Sequence, residues 1–371
     1  MYPALAVLQR LIAKYPHDQV LWVGGDYGME AELVQKAGVS FEVIPAAGVH
    51  GVGMKALPGN LLRLGRGYLA ARRILRSYRP DVLFFTGGYV AVPMALAGMR
   101  VPSALFVPDI EPALALKTLA RFSDHIVVTT ESSRDYFPGG ASGKSTEVSL
   151  CGYPTRPDLV AWDKDRAYEV FGLSPDLPIL LVTGGSQGSL SINKALVAAL
   201  PKLLVEMQVI HLTGPLTWPQ FENARDDLPD EIENRYRVYP YLHEEMGAAY
   251  SVADLVLSRA GASCLGEYPL FGLPAVLVPY PYAWRYQKVN ADYLVERGAA
   301  IIVEDVDLNE KMSPLILDLI RDEGRRKKMS TAMEALSRPG AADEIAELIR
   351  NLADPMASML QNQERKGPWP V

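Results

Sequence analysis

At 371 residues, with a formal net charge of −6, 49% hydrophobic and 22% charged residues, the chain has the size and balance of a two-domain globular protein. The acidic balance excludes a general nucleic-acid binder, which needs a basic face for phosphates, and no uninterrupted apolar run is long enough to span a bilayer. Two cysteines, Cys151 and Cys264, provide no disulfide framework and fit a reducing compartment, with a pairing between them left open.

In chain order, Tyr2 and Pro3 are followed by Ala4, Leu5, Val7, Leu8, Leu11 and Ile12. This is helical spacing, with proline where a first turn tolerates its missing N–H. An α/β domain ordinarily supplies a strand and a loop before its first helix, so a strand and loop are expected to be missing ahead of this one. No basic leader or small-residue cleavage site marks residues 1–15, and the chain reads as cytoplasmic. Strand-like runs then recur between amphipathic segments: VLWVGG (20–25), FEVIPAAG (41–48), DVLFFTGG (81–88), SALFVPD (103–109) and HIVVTT (125–130). A second series follows Pro178: ILLVTGG (179–185), VIHLTG (209–214), YRVYPY (236–241), DLVLSRAG (254–261) and PAVLVPY (274–280). Short, wholly apolar strands separated by helices predict parallel sheets buried on both faces. The predicted fold class is therefore α/β, two doubly wound Rossmann-like domains, which place ligands at the carboxyl ends of their strands.

Prolines 154, 157, 175 and 178 interrupt the pattern between the two series. The predicted domains are 1–157, 158–339, and a terminal helix with tail, 340–371, which is free to pack back on the first domain. The final GPWPV has no evident structure.

Chemistry-bearing segments sit at strand ends. Thr183-Gly-Gly-Ser-Gln-Gly-Ser189 joins a strand to a helix, offering glycines for close approach, a helix N-terminus and the Ser186 hydroxyl to a phosphate. The competing reading is a turn that needs glycine only for packing; a Walker lysine is absent. Ser258-Arg-Ala-Gly-Ala-Ser-Cys-Leu-Gly-Glu267 is a second such turn, with Glu267 expected one to two turns into its helix. A carboxylate there accepts hydrogen bonds from a ribose diol or simply complements the helix dipole. Gln287 and Asn290, three apart on a predicted helix, share a face and suit sugar hydroxyls; an exposed first turn is the alternative. Arg156 in Cys151-Gly-Tyr-Pro-Thr-Arg156 fits a pyrophosphate or an interdomain ion pair. The five histidines (17, 50, 125, 211, 243) show no metal-ligand spacing. Residues 50–79 carry six arginines among leucines, suited either to anionic lipid or to an ordinary helix with leucines inward.

Taken in order, YPALAV, GGYV, GYPTR, GGSQGS, SRAGAS…GE and QKVNA resemble the MurG-type N-acetylglucosaminyltransferases of peptidoglycan synthesis, of the two-Rossmann-domain GT-B class, over nearly the whole chain. The resemblance implies an inverting transfer of N-acetylglucosamine from UDP to a lipid-pyrophosphate acceptor at the inner face of the cell membrane. No cofactor or metal is implied, and the ligand cleft lies between the domains. It implies that Ser186, Gln187 and Gly188 meet the diphosphate, joined by Arg156. Leu242 presents its backbone to uracil, and Ala262, Ser263, Cys264, Leu265 and Gly266 line the nucleotide. Glu267 binds the ribose, while Gln287, with Asn290 beside it, binds the sugar. The family's base is a histidine in a glycine-rich loop before the YPALAV helix, a loop this chain does not contain, so no catalytic base is assigned. Two departures leave specificity open: Phe106-Val-Pro-Asp109 stands where many members carry His-Glu-Gln-Asn, and Tyr286 stands where histidine is frequent. A UDP-sugar epimerase of the same fold and a sugar-nucleotide-binding protein without transfer activity are the alternatives.

Overall fold

The computed structural model describes residues 1–25, 31, 34–35, 37–47, 57–137, 146–282 and 285–354. His50, Met54, Lys55 and the GPWPV end lie outside them. The chain divides into two compact units, Met1–Arg156 with Gly340–Val371, and Pro157–Pro339. Every strand pairing in both is parallel.

The first unit holds β1 (Leu21–Gly24), β2 (Ser40–Val43), β3 (Leu83–Phe85), β4 (Ser103–Val107), β5 (His125–Val128) and β6 (Glu147–Leu150). They form two sheets among the described residues, β1-β2 and β3-β4-β5-β6. A cleft of about 1010 Å³ separates the facing edges, lined by Leu21–Val23 of one and Leu83–Phe85 of the other. The buried Tyr78 hydroxyl, without a hydrogen-bond partner, belongs to the same cleft. The central strand β4 is buried at all five positions, as a two-faced parallel strand must be.

Helices at both ends of the chain close this unit. The Tyr2–Lys14 helix buries Pro3 to Leu8. The Ala341–Ala353 helix buries Ala341, Ala342, Ile345, Ala346 and Ile349, a stripe at helical spacing. Ion pairs Arg10–Asp343 (3.4 Å) and Lys14–Glu347 join the two helices, and Arg350 reaches Asp18 at 3.4 Å. In the Leu57–Tyr78 helix the inward-leucine alternative fails on one side: Leu61, Leu62 and Leu69 are 56%, 60% and 65% exposed. Leu62, Arg66, Leu69, Arg73 and Arg76, spaced three or four apart, form one exposed stripe.

The second unit holds β7 (Ile179–Thr183), β8 (Gln208–Leu212), β9 (Tyr236–Tyr239), β10 (Leu255–Ser258), β11 (Ala275–Leu277) and β12 (Ala300–Ile302). Their order is β12-β11-β10-β7-β8-β9. The chain leaves β7 toward β8 on one side and later returns to β10 on the other. The topological switch, where doubly wound sheets open a crevice for ligands, therefore lies between the carboxyl ends of β7 and β10.

Strands β6 and β12 were absent from the sequence expectation. Each is an edge strand of three or four residues, too short to display a periodicity. Both cysteines are buried, Cys151 in the first unit and Cys264 in the second.

Candidate functional site

The turn after β7 is built around glycine. Gly184 has no room for a Cβ, which would stand 2.1 Å from the Ser189 nitrogen. Gly188 adopts φ +86°, and a Cβ there would meet the Thr213 carbonyl oxygen at 2.0 Å. Gly214, φ +83°, packs against Gly188 from the turn after β8. By contrast Gly185, φ +85°, faces open space. Packing and access thus divide the glycines between them: Gly184, Gly188 and Gly214 lock the loop, while Gly185, Ser186 and Gln187 are exposed at its tip. Ser189 occupies the N-cap position of the Leu190–Leu203 helix without a side-chain capping bond, its Oγ 3.3 Å from Ser191 Oγ, and the helix's first turn opens on the same loop.

Behind the loop lies a buried polar chain that the sequence reading missed. Asn193 donates Nδ2–H to the Thr213 carbonyl (2.8 Å) and to Thr217 Oγ1 (3.0 Å). Its Oδ1 must then accept from His211 Nε2 (3.0 Å), which leaves Nδ1 to accept from the Tyr236 hydroxyl (2.7 Å). The histidine is therefore neutral, and complete burial depresses its pKa from 6.5 to about 3. The unfolded chain binds a proton below pH 6.5 that the folded state refuses, so this group's stabilisation is intact above pH 6.5 and falls as pH drops toward 3. Urea titrations should show stability declining by up to about 1.4 kcal/mol per pH unit in that interval from this group. His211→Gln should lie lower at neutral pH and show a shallower decline. An unchanged slope in the variant would refute the assignment. The only sequence signal was a polar residue inside an otherwise apolar strand.

The turn after β10 begins Ser258-Arg259. Arg259, 9% exposed at its side chain, is neutralised by Asp305 at 2.5 Å and donates to Ser191 Oγ (2.8 Å) and the Val278 carbonyl (3.1 Å). It ties this turn to the β7 turn and to β11 rather than presenting its charge outward. Residues Ala262–Leu265 form a 3₁₀ turn with Cys264 and Leu265 buried, so these two can offer a ligand their backbone only. Glu267 is the first residue of the Glu267–Phe271 helix, not one to two turns into it, because the 3₁₀ turn takes up the intervening residues. Half-buried, its Oε2 accepts from the Tyr250 hydroxyl at 2.7 Å.

After β11, Gln287 accepts from the Tyr280 backbone N–H at 2.9 Å and is half-buried. Asn290, on the same helix, is fully buried and donates to the Ala260 carbonyl at 3.2 Å, holding the β10 turn from beneath; the exposed first turn given as the alternative does not describe it. Leu242 follows β9 and is buried, 6% exposed. In the second unit, the 184–189 loop, the 259–267 turn, Leu242 and Gln287 all follow carboxyl ends of strands in the one sheet. Arg156 belongs to the first unit, its guanidinium 4.9 Å from the centre of the Tyr2 ring. Among the described residues no group of three or more His, Cys, Asp or Glu could hold a metal, and no helix is long and apolar enough to cross a membrane.

Two α/β units of parallel strands, the second doubly wound with glycine and carboxylate turns at its switch point, define the GT-B glycosyltransferase class. The glycosyltransferase family 28 N-terminal domain matches residues 1–129 and the family's C-terminal domain residues 179–345. The chain belongs to glycosyltransferase family 28. A relative from Roseiflexus sp. (strain RS-1), named UDP-N-acetylglucosamine--N-acetylmuramyl-(pentapeptide) pyrophosphoryl-undecaprenol N-acetylglucosamine transferase, is 38% identical over 92% of this chain and 86% of its own length. One of the same name from Desulforamulus reducens is 34% identical over 95% of each. The crystal structure of Acinetobacter baumannii MurG superposes with a TM-score of 0.72, 25% identity, over 94% of this chain and 95% of that one. UDP-GlcNAc 2-epimerase from Neisseria meningitidis shares the fold alone, at TM-score 0.66 and 13% identity over 94% and 96%.

Proposed function

We infer that this protein transfers N-acetylglucosamine from UDP-N-acetylglucosamine to a lipid-pyrophosphate-linked sugar in peptidoglycan precursor synthesis. The observation that carries the reading is the 34–38% identity, spanning nearly the whole chain, to relatives named for that transfer. In this reading the exposed tip of the turn, Gly185 to Gln187, and the Ser186 hydroxyl hold the diphosphate, where a helix N-terminus favours negative charge. Arg156 adds a cation for the same group. The main chain of Leu242 meets uracil, Ala262 to Gly266 line the nucleotide with their backbone, Glu267 takes the ribose hydroxyls, and Gln287 the sugar.

Chemistry at such a site is displacement at the anomeric carbon by the acceptor hydroxyl. The second unit's contribution is to bind UDP more strongly as charge builds on the departing diphosphate. The acceptor sits on a membrane, and the stripe of Leu62, Leu69, Arg66, Arg73 and Arg76 suits an anionic lipid surface: the leucines enter the interface and the arginines meet headgroups.

Transfer is tested by supplying radiolabelled UDP-N-acetylglucosamine and the lipid-linked N-acetylmuramyl acceptor in anionic vesicles. Labelled lipid product is expected. Conversion of the sugar nucleotide without acceptor would establish an epimerase instead, and UDP binding with neither product a binding protein. The Leu62→Ser/Leu69→Ser variant should lose roughly tenfold in rate with vesicles and keep its rate with detergent-dispersed acceptor.

A further inference from the structure

Glu267 does not stand alone. The Tyr250 hydroxyl, carried by the Met246–Val252 helix, reaches its Oε2 at 2.7 Å. The tyrosine is 4% exposed, and its ring is caged by two aromatic residues from the very helix that Glu267 begins. Tyr268 lies edge-on at 5.9 Å between centroids, and Phe271 at 5.3 Å, tilted 39°. Tyr268 is pinned in turn by donating to Ser258 Oγ at 2.7 Å. The carboxylate is therefore fixed at two points, its own backbone at the start of the helix and a hydroxyl whose position is set by packing.

We propose that Tyr250 is a positioning residue for nucleotide recognition: by holding Glu267 Oε2 it orients the carboxylate for a ribose diol, and so sets the preference for a ribonucleotide over a deoxyribonucleotide. This rests on the reading of Glu267 as the ribose ligand. A carboxylate on a free rotor must be ordered before it can accept two hydroxyls in one geometry, whereas one already held loses little entropy on binding. Burial, and then the adjacent carboxylate, raise the Tyr250 pKa well above the ordinary tyrosine value. The hydroxyl thus stays protonated at neutral pH and donates to Glu267.

Calorimetric titration with UDP and with 2′-deoxy-UDP tests this on the full chain. The unmodified protein should prefer UDP about tenfold or more, as expected where a charged acceptor loses a hydroxyl partner. Tyr250→Phe should reduce that ratio to about threefold or less. Tyr268→Phe, which disturbs the same aromatic cage without touching Glu267, should leave it intact. Should Tyr250→Phe not fold, Tyr250→p-aminophenylalanine keeps both shape and a donor and should restore the ratio.

A ratio in Tyr250→Phe equal to that of the unmodified protein would overturn the proposal while leaving the ribose reading in place. So would loss of the ratio in the p-aminophenylalanine variant. Absence of any preference in the unmodified protein would remove the ribose reading, and the role of Tyr250 with it.

Discussion

Replacing Glu267 by alanine should weaken UDP binding by about 2–4 kcal/mol, roughly 30- to 700-fold in Kd, since a charged acceptor to hydroxyl groups is worth about 1.5–3 kcal/mol per bond and the two bonds share one side chain. The loss has two sources, and a second variant separates them. Alanine removes the ribose ligand and also strands the Tyr250 hydroxyl, which is buried and accepted by Glu267. A stranded buried donor costs about 1–3 kcal/mol of fold stability, so Glu267→Ala should also melt lower. Glu267→Gln retains an oxygen for Tyr250 and should melt near the parent, yet still bind UDP weakly because the negative charge is gone. Isothermal titration with UDP, paired with thermal melts, reads both quantities. Parental affinity in both variants would remove Glu267 from the site.

The second large effect belongs to a glycine. At Gly188 a methyl group would enter the Thr213 carbonyl at 2.0 Å and crowd Gly214, with φ held at +86°. Neither neighbour is a flexible side chain, so the loop itself must move. The left-handed backbone alone costs a non-glycine residue about 1–2 kcal/mol, and the backbone collision adds to it. Gly188→Ala should cost about 3 kcal/mol or more, a large share of the total stability of an ordinary domain, and should abolish measurable UDP affinity. Gly185→Ala supplies the control. Its φ is +85° but nothing lies within 4 Å of the added carbon, so it should cost only the backbone strain. Denaturant midpoints that fall equally in the two variants would show that the contact with the β8 turn is unimportant.

Legibility in the sequence followed the distance over which each feature is encoded. Strands such as β7 and β4 were readable because burial on both faces leaves an unbroken apolar run, ILLVT and SALFV. The edge strand β6, EVSL, lacks that signature. The glycine turn was visible as a motif, but its division of labour was not: nothing in TGGSQGS says that Gly188 packs on Gly214, 26 residues away, whereas Gly185 does not. The partners of the Tyr286–Glu296 helix were equally hidden: the three-residue spacing of Gln287 and Asn290 does not disclose that one meets the Tyr280 backbone and the other the Ala260 carbonyl. Tyr250 carried no signal, and His211 only that of a polar residue within a strand, since their partners, Glu267 and Asn193, are 17 and 18 residues distant with no fixed period.

The Ala341–Ala353 helix gives the first unit a discontinuous path through the chain, with Lys14 pairing to Glu347 across 333 positions. During synthesis the whole of Pro157–Pro339 emerges before this helix does, so the second unit can complete its core while the first still exposes the apolar side of Tyr2–Lys14. The order of birth is thus the reverse of the order of closure: the unit whose residues are made first is the last to be sealed.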